Sequence, residues 1–254
     1  MLPSSLWRES LETQHTSGAI TARLASAACH SYLGDFVFGA IDGAVTTFAI
    51  VCGAAGAGLS SGVALVLGVA NLLADGFSMA AGNYLSTKAD RQMVDRVRRL
   101  EEHHIDHIPD GEREEIRQIY AGKGFQGELL DKVVDVITKD HQRWVDTMVT
   151  EEFGLQLRSP SPTRAAAATF VAFVIVGMVP LTSYIFSGRL SPEQVFGAST
   201  IATAFAFFLI GLIKGKVVSH SLVLSGLETL VVGGAAALVA FGVGYGLREL
   251  VGVG

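Results

Sequence analysis

The sequence predicts an all-α integral membrane protein with five transmembrane helices and a cytosolic three-helix insert between helices 2 and 3. Half of the 254 residues are hydrophobic, the mean hydropathy is +0.43, and glycine, which lets membrane helices pack closely, occurs 29 times. The charges are segregated, because 29 of the 43 Asp, Glu, Lys and Arg residues lie between Ser86 and Arg164. The chain therefore consists of two apolar blocks that flank one charged block.

Four regions follow from this pattern. Residues 1–30 form a polar lead-in, 31–85 hold transmembrane helices 1 and 2, 86–160 form the insert, and 161–254 hold helices 3 to 5. Each apolar segment has at least the roughly 17–20 residues that a bilayer crossing needs. Pro180 predicts a kink in the third span. The predicted spans are 36–57, 62–85, 165–186, 195–213 and 219–247.

The insert is expected to be helical throughout. After Leu85 the second span continues without Pro or Gly as far as Pro109, which predicts one long helix. Asp110 is the predicted N-cap of a short helix over 112–121. Apolar residues at intervals of three and four predict a third helix over 126–153; they are Leu129, Val133, Val136, Ile137, Trp144, Val145 and Met148.

The distribution of Lys and Arg predicts the orientation in the membrane. Basic residues flank the charged block on both sides and follow span four, whereas the turn between spans one and two has none. By the positive-inside rule, the N-terminus and the insert lie in the cytosol and the C-terminus lies outside or in a lumen. This arrangement suits a bacterial inner membrane or a eukaryotic vacuolar membrane. The net charge of −5 argues against nucleic acid as a partner.

Acidic residues occur in the first two spans, where a bilayer-crossing helix normally has none. Asp35 and Asp42 are seven residues apart and share one face of span one. An ionised Asp at mid-membrane costs at least about 2.5–3.5 kcal/mol, so it usually faces a cation, a proton path or water. The alternative is structural, with Asp42 capping a broken helix or binding a Ser or Thr. Within span two, residues spaced four apart form a polar stripe along one face of the helix: Asn71, Asp75, Met79 and Asn83. We therefore predict a cation pathway between these helices.

The insert holds a second group of candidate ligands. Glu101 and His104 are spaced i, i+3, as are Glu112 and Glu115, so each pair projects to one side of its helix. The third predicted helix adds Met148, Glu151 and Glu152. Carboxylates alone suit Mg²⁺, Ca²⁺ or Mn²⁺, whereas added His and Met favour first-row metals such as Fe²⁺. The alternative is that these acids are simply solvated.

Two further sets of polar residues have open roles. His103, His104 and His107 share a helix face, which suits a metal site, a pH sensor or plain solvated surface. Glu228 in span five is a candidate partner for Lys214 and a candidate proton carrier.

Three segments together resemble the vacuolar iron transporter family, and in particular a bacterial-type member. They are GDFVFGAIDGAVTTFAIVCGAAGAG in span one, LLADGFSMAAGNYLSTKAD in span two and PDGEREEI in the insert. The resemblance runs from about Tyr32 to the end of the chain. It implies a homodimer in the lipid bilayer that moves Fe²⁺ out of the cytosol by proton antiport, and no enzymatic activity.

The resemblance also implies roles for particular residues. Asp42 and Met79 would line the translocation path, and the ligand positions of a cytosolic metal-binding module would be Glu101, Glu112, Glu115, Met148 and Glu152. This chain departs from the family pattern at His104 and Asn71, where acids are expected, and at Val149, where a second Met can occur. Alternatives are an exporter of Mn²⁺ with the same architecture, transport of Co²⁺ or Zn²⁺, and a membrane-tethered ferroxidase or iron-buffering protein.

Overall fold

The computed structural model describes residues 12–27, 31–186, 188 and 190–251, and in this part of the chain all the regular structure is helical. The rest of the predicted lead-in, residues 1–11 and 28–30, lies outside the described residues. The helices are α1 Ser17–Ala27, α2 Leu33–Gly56, α3 Ser61–His107, α4 Pro109–Gly122, α5 Gly127–Thr138, α6 His141–Glu151, α7 Pro162–Gly177, α8 Val179–Ile185, α9 Pro192–Val217 and α10 Leu222–Val251.

The chain divides into two compact units. The membrane unit comprises Tyr32–Thr87 and Ser161–Gly254, and the charged unit comprises Lys88–Pro160 with the described residues before Tyr32. Helix α3 contributes residues to both, and its single run of 47 residues confirms the long helix predicted from the absence of Pro and Gly.

Within the described residues, four helices are long and apolar enough to cross a membrane: α2, α3, α9 and α10. Helices α7 and α8 make a fifth span if they are counted together, and they bend by 42° where they meet. The bend lies beside Pro180, which has no amide hydrogen and crowds the carbonyl four residues earlier. The hydroxyl of Ser199 donates a hydrogen bond of 2.7 Å to the carbonyl of Pro180 and so satisfies a backbone group at the bend.

Helix α2 lies at the centre of the membrane unit and packs against α7, α9 and α10. Gly39 and Gly43 allow a close approach to α7, because a Cβ at either would lie only 2.4 Å from the carbonyl oxygen of Thr169 or Phe173. The most apolar window of α2 is 50% buried, whereas that of α3 is only 22% buried. The apolar part of α3 therefore presents a broad uncovered face, which includes Phe77.

The charged unit has its own apolar core, built around Ile116, Val134, Trp144 and Met148. The prediction of one helix over 126–153 is wrong, because α5 ends at Thr138 and α6 begins at His141. The physical reason is Asp140, whose carboxylate accepts a 2.9 Å hydrogen bond from the amide of Arg143 and caps α6.

The start of α4 also differs from its prediction. Pro109 occupies the first helical turn and Ile108 is the N-cap, so the prediction that Asp110 caps a helix from 112 is wrong. Proline is favoured at this position since its missing amide hydrogen would have no partner there. Only Ile108 separates α3 from α4, and this short connection positions the cluster described next.

Candidate metal-binding sites

A three-residue cluster forms where α3 ends and α4 begins. Glu101 and His104 lie one turn apart on α3, and Glu112 lies in the first turn of α4. His104 Nδ1 is 3.2 Å from Glu112 Oε1 and 3.9 Å from Glu101 Oε1. One candidate ligand atom from each residue lies within 4.8 Å of the others, which is close enough for all three to contact one metal ion. The tight connection at Ile108 is what brings the two helices' side chains together.

The two carboxylates of the cluster are buried. Glu101 and Glu112 are each only 1% exposed to solvent. Among the described residues, Oε2 of each has no hydrogen-bond partner. A buried carboxylate oxygen without a partner is costly, and a bound cation is the simplest way to offset that cost.

The pKa values of the acids in the cluster also favour a bound cation. Burial, together with the charges of Glu112, Glu152 and Glu115 and a hydrogen bond with Glu112, raises the pKa of Glu101 to about 8. Burial and the charge of Glu115 also raise the pKa of Glu112, although His104 opposes that shift. Crowded acids of this kind share protons until a cation replaces them.

The remaining predicted ligands of the insert have different surroundings. Glu115 and Glu152 are exposed, and burial followed by the charges of Glu115 and Glu112 raises the pKa of Glu152. These two acids therefore lie near enough to the cluster to feel its charge. Met148 is fully buried in the core of the charged unit. Glu151 forms an ion pair with Lys123 instead.

His103 and His107 do not belong to the three-residue cluster. Both are exposed, and their ring centroids lie 4.0 Å apart. The Nδ1 atom of His107 is also 2.8 Å from the carbonyl oxygen of His103. Their contacts are thus with each other, on the surface of α3.

In the membrane unit, a cavity of about 550 Å³ lies between α2 and α3. The predicted pathway residues Asp75 and Met79 line it, and so do Asp35 and Asn83 from the same two polar faces. Sequence reasoning missed the other lining residues, which include a row spaced four apart beside the predicted stripe: Ser78, Gly82 and Ser86. Their small size and spacing were the signal that could have identified them.

Asp42 and Asn71 do not line this cavity. Asp42 is half-buried, and its carboxylate is close enough to Asp75 for the two charges to repel each other. Its backbone carbonyl accepts a 2.9 Å hydrogen bond from Thr46 within the same helix. Asn71 is half-buried one turn before Asp75. Asp42 on α2 therefore lies near Asp75 on α3, and of the two only Asp75 lines this cavity.

Asp35, which lines the cavity, is held in a polar network. Asn83 Nδ2 donates hydrogen bonds of 2.8 Å to Asp35 Oδ1 and to Thr169 Oγ1. The hydroxyl of Thr87 donates to Asn83 Oδ1 at 3.2 Å. Thr169, which sequence reasoning missed, thus connects α7 to both helices of the pathway. Outside the cavity, the candidate partners Lys214 and Glu228 form an ion pair of 2.9 Å.

Comparison with known proteins identifies the family. The VIT family model matches residues 33–245. The chain is 34% identical to a vacuolar iron transporter of Toxoplasma gondii over 87% of its length and 76% of that protein. It is 34% identical to one from Centaurea cyanus, with 85% and 88% covered, and 32% identical to vacuolar iron transporter 1 of Arabidopsis thaliana, with 82% of both covered.

These relatives are named as transporters, which confirms the prediction that the chain is not an enzyme. The membrane-spanning helices and the relatives agree on a multi-pass membrane protein. The resemblance inferred from spans one and two and from the insert is confirmed over most of the chain. The chain belongs to the VIT family.

Proposed function

We propose that this protein exports Fe²⁺ from the cytosol by proton antiport, with the charged unit capturing the ion and the membrane unit carrying it across. The observation that carries the proposal is the pair of buried carboxylate oxygens, on Glu101 and Glu112, that have no partner among the described residues. Relatives named vacuolar iron transporters support iron as the cargo.

Capture uses the cluster at the α3–α4 connection. The three proposed ligands whose atoms lie closest to one another are Glu101, His104 and Glu112. Further candidates are Glu115, Met148 and Glu152. Two carboxylates that repel each other without a metal bind a divalent cation well, because the ion replaces their mutual repulsion with attraction. An imidazole in the set suits Fe²⁺.

Transit uses the polar faces of α2 and α3. Asp42, Asp75 and Met79 are the proposed ligands along the path, with Asn71 beside them. The closeness of Asp42 to Asp75 supports this role, because two acids in apolar helices are tolerated best where a cation passes between them. Two acids lie along the path, whereas the capture ligands and their further candidates include four, so we expect the path to hold the ion less tightly.

A homodimer completes the proposed path. The cavity is bordered by α3, whose apolar window is only 22% buried within one copy of the chain. A second copy packed on that face would enclose the path and contribute the same ligands across a two-fold axis. The positions of Lys and Arg support a cytosolic charged unit and a C-terminus on the opposite side.

Proton coupling follows from the chemistry of the ligands. A carboxylate must lose its proton to bind a metal, so protonation of Asp42 from the side of delivery would weaken binding and release the ion. An inward proton flow would then drive outward movement of metal.

Transport into proteoliposomes with an acidic interior tests this function. Uptake of Fe²⁺, Mn²⁺, Co²⁺ and Zn²⁺ should be compared for the wild type, for Asp42→Ala and for Glu193→Gln, a control acid outside the cavity. We expect Fe²⁺ uptake that needs the pH gradient, disappears in Asp42→Ala and persists in Glu193→Gln. Faster uptake of Mn²⁺ would identify a manganese exporter instead, and wild-type uptake by Asp42→Ala would contradict the proposed path.

A further inference from the structure

His104 differs from the other candidate ligands near the α3–α4 connection because it brings a nitrogen atom to a group of carboxylates. We propose that His104 Nδ1 is a direct metal ligand that makes the capture cluster prefer Fe²⁺ and Co²⁺ over Mn²⁺. The inference rests on the proposed function, since it concerns the same cluster, and it assigns the choice of ion to one residue.

The geometry places the correct atom in the cluster. His104 Nδ1 faces both acids, at 3.2 Å from Glu112 Oε1 and 3.9 Å from Glu101 Oε1. These separations are typical of ligand atoms that share one ion, since two atoms each about 2.0–2.2 Å from a metal lie about 3–4 Å apart. The imidazole side chain is 37% exposed, so its other nitrogen can carry the proton on the side away from the acids.

The buried oxygen atoms are the independent sign that the cluster takes a cation. Oε2 of Glu101 and Oε2 of Glu112 are both buried, and neither has a hydrogen-bond partner in the described part of the chain. The contact of His104 Nδ1 with Oε1 of Glu112 leaves both Oε2 atoms without a partner among the described residues. An ion pair alone therefore does not account for the site.

The choice of ion follows from the kind of ligand. An all-carboxylate set suits hard ions such as Mg²⁺, Ca²⁺ and Mn²⁺, whereas an imidazole nitrogen strengthens binding from Mn²⁺ through Fe²⁺ to Co²⁺. The substitution His104→Glu would give the cluster only oxygen ligands, with the same i, i+3 spacing. Exchanging His104 for Glu should therefore alter the preference between ions more than it alters the total ability to bind metal.

The test measures the affinities of the full-length protein in detergent for Co²⁺ and for Mn²⁺, by calorimetry or competition with a chelating dye. In His104→Glu we expect the preference for Co²⁺ over Mn²⁺ to fall by on the order of tenfold or more, because losing even an outer-shell partner of a metal ligand changes metal affinity by about 10- to 100-fold. His103→Glu is the matched control, because it adds the same charge one residue away on an exposed position. That variant should keep the wild-type preference.

A spectroscopic measurement on the wild type needs no folded variant. With one equivalent of Co²⁺ bound, the X-ray absorption spectrum of the cobalt should contain the outer-shell scattering signal of a coordinated imidazole ring, and this signal should remain in His103→Glu. Absence of that signal from the Co²⁺-bound wild type would overturn the proposal, as would an unchanged preference in a folded His104→Glu.

Failure of the function itself gives a different result. If the wild type binds neither ion, or if Glu101→Gln binds both as well as the wild type does, metal capture at the cluster is refuted together with the role of His104. Retained binding that depends on Glu101 but not on the identity of residue 104 refutes only the role of His104.

Discussion

The acids of the two units are arranged in opposite ways. In the charged unit, Glu101 and Glu112 converge with His104 within 4.8 Å and are each 1% exposed. In the membrane unit, Asn83 donates a hydrogen bond to Asp35, and Asp42 and Asp75 are half-buried, with Asp75 lining the cavity and Asp42 outside its lining. A compact, buried set of acids favours tight binding of a metal ion, whereas a sparse and accessible set of acids favours passage of the ion. The difference suggests that capture and transit are separate tasks, each with its own ligands.

The largest expected effect concerns the compact set. The double variant Glu101→Gln/Glu112→Gln keeps the shape of both side chains but removes both charges, so we expect metal affinity to fall by on the order of 100-fold or more. Titration of the full-length protein in detergent with Co²⁺ measures this. Glu128→Gln is the control, because Glu128 is exposed and pairs only with Lys132 one turn away. Equal affinities in the double variant and the control would show that the cluster does not bind the metal.

The next effect concerns how the membrane unit is held together. Gly43→Ala places a Cβ 2.4 Å from the carbonyl oxygen of Phe173, and the backbone there cannot move aside easily. We expect a loss of about 1–3 kcal/mol in stability, as for other overpacked cores. Thermal unfolding in detergent, together with transport, provides the measurement, and metal binding by the charged unit should persist.

Gly242→Ala is the matched substitution for that test. A Cβ at Gly242 meets no described atom within 4 Å. Since Ala is a better helix former than Gly by up to about 1 kcal/mol, this variant should be as stable as the wild type or slightly more stable. Equal destabilisation by both changes would mean that the close contact of α2 with α7 is not what matters.

The pH dependence of the metal-free protein distinguishes the units further. Burial raises the pKa of Glu101 from 4.5 to about 8, so the folded state holds a proton that the unfolded state releases. The stabilising contribution of Glu101 is therefore complete below about pH 4.5 and is lost as the pH rises through about 8. With a chelator present, the melting temperature of the charged unit should fall between pH 5.5 and 8.5, and less steeply in Glu101→Gln. A slope that is identical in the two proteins would contradict this assignment.

The smallest effect concerns the polar network that holds Asp35. Asn83→Ala removes the hydrogen bonds to Asp35 and Thr169, which leaves the Asp35 carboxylate less well positioned. We expect the transport rate to fall a few-fold with no change in metal affinity of the charged unit. Thr87→Val is a milder companion, since it removes only the bond to Asn83 Oδ1. A change in metal binding by either variant would count against separate tasks.

Much of this arrangement was predictable from the sequence, because helix periodicity alone determines which residues share a face. The spacing of Glu101 with His104 and the long helix without Pro or Gly both follow from local rules, and the structure agrees with them. The pairing with Glu112 depends on a connection of one residue at Ile108, which composition does not encode.

The features that sequence reasoning missed all depend on contacts between helices. The break before α6 arises because Asp140 prefers to cap a helix, and the apolar pattern continues across the break. Thr169 joins the polar network from α7, which is distant in sequence from both helices of the path. Whether Asp42 lines the cavity likewise depends on the packing of α2, which makes close contacts with α7 at Gly39 and Gly43 and with α10 at Gly56.

The separation of capture from transit is tested most directly by the initial rate of Fe²⁺ uptake into proteoliposomes, measured across Fe²⁺ concentrations under one pH gradient. For Glu101→Gln/Glu112→Gln we expect a higher half-saturating concentration with a maximal rate close to that of the wild type. For Asp42→Ala we expect no uptake at any concentration, although Co²⁺ binding to the detergent-solubilised protein is retained. An unchanged half-saturating concentration in the double variant, or saturable uptake by Asp42→Ala, would contradict the account.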